Sequence, residues 1–142
     1  MTYYKIMWMP EPESIIWHLK TGTPTKESHM VVEEMAKYID LLQWRIDYAR
    51  QYQNWLADLG SEIYDLKSSL NSSIIDSIGK FNGVSKVIKI FYWFDVDREK
   101  DEGFVWRKCP LTGESLFDLG EDFPNNNRLI SERKFLVFPK NL

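Results

Sequence analysis

The residues of this chain that could do chemistry at short spacing sit near its end, in Cys109-Pro-Leu-Thr-Gly113. The run has the outline of a zinc knuckle, in which two thiolates three residues apart grip one ion and a glycine permits the tight return. Thr112 stands where the second sulfur belongs, and one hairpin later Ser131 and Lys134 occupy the same spacing in Ser131-Glu-Arg-Lys134. One thiolate, two hydroxyls and a cationic amine form a poor donor set for zinc, so neither a metal nor any other cofactor is expected. Cys109 is the single cysteine, which excludes an internal disulfide. His18 and His29 lie in no ligand or nucleophile motif, and Cys109 has no base partner in sequence. Asp40/Asp47 and Asp95/Asp97 fall in patterns that solvated faces also produce, and no glycine loop for phosphate appears. The expectation is a protein that is not an enzyme and takes no small-molecule substrate.

Length and composition bound the rest. A chain of 142 residues fits a single domain, 1–142, with a helix and central-strand part over 1–103 and a β module over 104–142. Eighteen Lys and Arg stand against 21 Asp and Glu, a formal charge of -3, which disfavours nucleic acid as a partner of the whole chain. The opening residues reach Pro10, Glu11 and Glu13 before an apolar signal core could form, and no apolar run approaches the roughly 20 residues of a membrane span. A cytoplasmic protein with no membrane association is expected.

The elements that must position any site begin with Thr2 to Met9, a short alternating run stopped by Pro10 and Pro12. Thr25 is placed to cap a long helix over Glu27 to Leu59, with Gly60 as its stop. Val31, Met35, Tyr38/Ile39, Leu42, Ile46, Ala49 and Leu56 recur at helical spacing and predict the core face. A second row, Trp44, Tyr48, Tyr52 and Trp55, lies beside it and reads either as further core or as an exposed partner surface, since Trp and Tyr anchor many interfaces. Ser69 to Phe81 predicts a shorter helix, Asn82-Gly83 a turn, and Val84 to Val96 a strand apolar on both faces. The fold class expected is α+β, with the long and the shorter helix packed on an antiparallel sheet that includes a C-terminal degenerate zinc-ribbon-like module.

Several pieces of the chain carry a resemblance. Tyr38-Ile-Asp-Leu-Leu-Gln-Trp-Arg-Ile-Asp-Tyr48, the strand Val87 to Phe94, Lys108-Cys-Pro-Leu-Thr-Gly-Glu114 and Arg133-Lys-Phe-Leu-Val137 are together similar to the C-terminal half of an uncharacterised bacterial family. That family is described as zinc-ribbon-containing, with a suggested nucleic-acid-binding role, and the likeness covers roughly residues 30 to 142. Three of the four ligand positions the resemblance implies are lost here. It suggests a former ribbon now held by apolar burial, with Phe104, Trp106, Leu116, Phe117, Phe135, Val137 and Phe138 replacing the ion.

Two binding roles follow. The first is a compact intracellular protein that binds another protein, such as an immunity protein neutralising a bacterial toxin domain, with an acidic surface to speed encounter. Asp97, Asp101, Glu102, Glu114, Asp118, Glu121 and Asp122 are its expected contacts, with Trp44, Tyr48, Tyr52 and Trp55 as candidate anchors. The alternative is a metal-free relative of a ribbon nucleic-acid binder, using Arg45, Arg50, Arg107, Lys108, Arg133 and Lys134 against phosphate.

Overall fold

The computed structural model describes residues 1–10, 14–95, 106–118 and 128–139. In chain order these form β1 (Thr2–Ile6), β2 (Ile16–His18), α1 (Ser28–Met35), α2 (Leu41–Leu56), α3 (Ser69–Val84), β3 (Ile88–Trp93), β4 (Phe117–Asp118), β5 (Arg128–Ser131) and β6 (Leu136–Pro139). The strands make one sheet in the order β2-β1-β3-β6-β5-β4. The class is α+β, as expected, but the sheet is mixed where an antiparallel one was predicted. β1 runs parallel to β3 and β3 parallel to β6, while β2, β5 and β4 join antiparallel. Three helices intervene between β1 and β3, and a crossover of that length returns a strand in the same direction.

The predicted long helix is two helices. Asp40 breaks it, because its carboxylate accepts from the backbone N–H groups of Leu42 and Gln43, both at 3.1 Å, and so caps a new start. Thr25 does not cap either helix; its hydroxyl accepts from the Glu27 N–H at 3.0 Å, just ahead of α1. α2 ends before Gly60. The Leu59 N–H donates to the Asn54 carbonyl and the Asp58 N–H to that of Trp55, a Schellman closure with Asp58 in the left-handed region at φ 55°.

α3 runs through the predicted turn at Asn82-Gly83 as far as Val84. The Asn82 amide serves the sheet instead: it donates to the Ile90 carbonyl at 2.8 Å and accepts from the Ile90 N–H at 2.9 Å. Tyr92 and Phe94 donate toward β6, and Ile90 faces that same edge below the point where β6 begins. The side chain of Asn82 therefore pairs backbone groups for which the neighbouring strand is too short. β3 itself starts at Ile88 rather than Val84.

The helices cover one face of the sheet. Val31 and Met35 of α1, Leu41 and Trp44 of α2 and five apolar residues of α3 pack on Tyr4, Ile6, Ile88, Ile90, Tyr92 and Phe94. The alternation predicted for β3 holds, since Phe91 lies on the opposite face in a second cluster with Leu19, Ile130 and Val137. No helix among the described residues is long and apolar enough to cross a membrane.

Candidate functional site

The two apolar rows of α2 exchange the roles expected of them. Leu42, Ile46 and Leu56, predicted as core, are each more than half exposed, at 55%, 56% and 56%. Trp44 is buried and meets Tyr92 edge-on at 5.9 Å, so this candidate anchor is withdrawn from any partner. Tyr48, Tyr52 and Trp55 are half-buried against the core. Trp8, just past β1, stacks on Tyr48 at 5.2 Å and leans over Tyr52 at 4.8 Å, while Tyr64 from the loop after α2 meets Trp55 at 5.9 Å. The row belongs to the interior because two separate segments bring rings to it, and large rings remove the most apolar area from water.

These rings wall a cleft of about 220 Å³ at the carboxyl ends of the parallel strands β1 and β3. Met7 and Trp8 line it from just past β1, Tyr48 and Tyr52 from α2, Ile63 and Tyr64 from the following loop, and Trp93, Phe94 and Asp95 from the end of β3. Burial pushes the Tyr48 hydroxyl well above the ordinary phenol range, and the neighbouring Tyr64 and Asp95 add to the shift. Tyr48 therefore stays a neutral phenol in the cleft, beside the side chain of Asp95. Trp8, Tyr64 and Trp93 were not singled out by sequence, and Asp95 read as part of a solvated pair, because they come from three distant segments with no common spacing.

The loop that brings Tyr64 into place is organised by Asn71, which is completely buried. Its amide nitrogen lies 3.1 Å, 3.3 Å and 2.7 Å from the carbonyls of Glu62, Ile63 and Asp65. The Tyr92 hydroxyl donates to its oxygen.

The C-terminal turns meet around Glu114. The run 109–113 closes as a tight turn, with the Gly113 N–H donating to the Cys109 carbonyl at 2.8 Å and Gly113 at φ 74°. Thr112 donates its hydroxyl to Glu114 Oε1 at 3.2 Å, and Ser131 donates to the same oxygen. The Ser131 bond, seconded by Thr112 and by the backbone and charge of Arg133, holds the Glu114 carboxyl below the usual range although burial opposes it. Two positions singled out as lost metal ligands are thus joined through a carboxylate, while Lys134 is exposed. Glu114, expected to face a partner, faces its own chain.

Asp118 is exposed on β4, and Asp97, Asp101, Glu102, Glu121 and Asp122 lie outside the described residues. Among the described residues no three His, Cys, Asp or Glu side chains group to hold a metal ion. His18 packs beside the Tyr4 ring at 5.4 Å, His29 pairs with Glu33 at 2.9 Å on the surface of α1, and Cys109 is buried. Compared with protein-family models, curated proteins and solved structures, the chain has no significant match.

The outward side of the helical layer has its own character. Leu42, Ile46 and Leu56 recur along the solvent face of α2, with Leu59 beyond its end at 76% exposure. They lie within 27–65, a segment with eight carboxylates and only Lys37, Arg45 and Arg50 as basic residues, so its balance is -5 where the whole chain carries -3.

Proposed function

We propose that this chain is a non-catalytic protein-binding protein, of the immunity kind, that neutralises a basic bacterial toxin domain in the cytoplasm of the cell making it. The observation that carries the reading is the outer face of α2, where exposed Leu42, Ile46 and Leu56 form an apolar stripe inside a segment with a net balance of -5. Apolar anchors supply affinity by leaving water, and surrounding carboxylates steer a cationic partner and raise the rate of encounter. The α1–α2 layer is the contact surface this reading puts forward.

The test is co-expression with the product of the gene immediately upstream. Protection against its toxicity is expected for the native chain and is expected to fall at least about tenfold for Leu42→Asp and Ile46→Asp, each substitution removing an anchor at a solvent-exposed position. Both variants should keep the native melting temperature. Protection untouched by both would remove this face, and an upstream product that is harmless or not neutralised would remove the immunity reading.

One observation favours nucleic acid as a second reading. The Glu114 junction links the turn that follows exposed Arg107 and Lys108 to the one carrying exposed Arg133 and Lys134. Binding of labelled RNA that weakens steeply with salt and is abolished by Arg107→Glu with Arg133→Glu would establish it. The acidity of the α1–α2 layer weighs against it, and Arg50 is already paired with Asp47 at 3.3 Å.

A further inference from the structure

The aromatic cleft at the strand ends lies on the inner side of α2, away from the proposed partner face, and its chemistry is independent of that reading. We propose that it binds a methylated ammonium headgroup, with the rings of Trp8, Tyr48, Tyr52 and Tyr64 as its wall and Asp95 as the counter-charge. Each ring presents a negative π-face, and such faces attract cations most strongly where water is partly excluded. Trp8 stacks on Tyr48 and tilts over Tyr52, which fixes three rings from two segments as one surface. Trp93 closes the cleft but already carries a cation of the chain itself, since the buried Lys5 places Nζ 4.6 Å from its ring centroid.

Size and polarity select the ligand. At about 220 Å³ the cleft falls below the roughly 300 Å³ at which pockets for drug-sized molecules begin, so it suits a headgroup rather than a nucleotide or a sugar chain. A primary ammonium would turn some of its N–H donors toward ring carbon, at a desolvation cost that a fully methylated one avoids. A quaternary trimethylammonium has no N–H to satisfy and offers its charge through apolar methyl groups, which the rings can also cover.

The decisive experiment titrates the full chain with choline chloride and, separately, with 3,3-dimethyl-1-butanol, the neutral isostere in which carbon replaces nitrogen. Ring-proton NMR signals of Tyr48, Tyr52 and Tyr64 report occupancy. Choline should move these signals and bind about tenfold tighter than the isostere, in line with the strength of cation–ring attraction. Asp95→Asn should weaken choline without changing the isostere. Phosphatidylcholine vesicles, a trimethyl-lysine peptide and free choline then distinguish a lipid, a protein and a metabolite as the source, by which binds tightest. Equal affinity for choline and isostere, or saturating choline that moves none of the three ring signals, would overturn the proposal; both comparisons use the native chain, so they stand even if the variant fails to fold.

Discussion

Two loop systems of this protein are each held by one polar side chain, and they solve the problem in opposite ways. Between α2 and α3 a neutral amide, Asn71, is wholly buried and gathers three carbonyls and a tyrosine hydroxyl. In the C-terminal turns a charged carboxylate, Glu114, gathers two hydroxyls and lies close enough to solvent to feel Arg133 as well. The amide needs no counter-charge and can afford complete burial; the carboxylate keeps its charge only by staying near the surface with donors around it. The first arrangement should be costly to break and indifferent to pH, the second cheap to break and sensitive to acid.

The largest effect expected is for Asn71→Ala, which leaves buried carbonyls of the 62–65 loop and the Tyr92 hydroxyl without partners. A loss of about 3 kcal/mol follows from the usual cost of unsatisfied buried groups, measured by urea unfolding. Tyr92→Phe removes a single donor from the same network and should cost about 1–2 kcal/mol; a loss as large as that of Asn71→Ala would mean that the tyrosine, not the amide, organises the loop. Ser131→Ala should cost about 1 kcal/mol, the net worth of one hydrogen bond to a partly screened acceptor. If it exceeded Asn71→Ala, the contrast between the two systems would be reversed.

The smallest effect is the one that sharpens the comparison most. Because the folded Glu114 carboxyl is held below its unfolded value of 4.5, the stability it contributes is complete above that value and is lost as pH falls through the lower folded one. Melts of the native chain and of Glu114→Gln from pH 7 downward should therefore differ at neutral pH and converge in acid, with the gap modest because solvent screens the group. The difference between native chain and Asn71→Ala should stay constant over the same range. A gap at Glu114 that does not close in acid would show that the carboxylate's charge plays no part.

The cleft and the helical face repeat this contrast at the level of what a sequence can reveal. Tyr48, Tyr52 and Trp55 were legible as a row because they share one helix and one period. Trp8 and Tyr64, and the place of Asp95 beside them, were not, because only the crossing of β1, the loop after α2 and the end of β3 makes them neighbours. Glu114 read as one more solvated acid, since nothing local announces that Ser131 will reach it from 17 residues away.

Composition and periodicity alone determined that helices pack on a sheet, that β3 has two apolar faces, and that α2 carries two apolar rows. Local chemistry was enough for those, because backbone geometry ties each period to one element. Tertiary structure decided that β1, β3 and β6 run parallel to one another and that the aromatic row turns inward while Leu42 and Ile46 turn out. The physical reason is that adjacent stripes of one helix are nearly equivalent until the sheet supplies a surface, and Tyr92 with Trp8 offers the rings the larger area to cover.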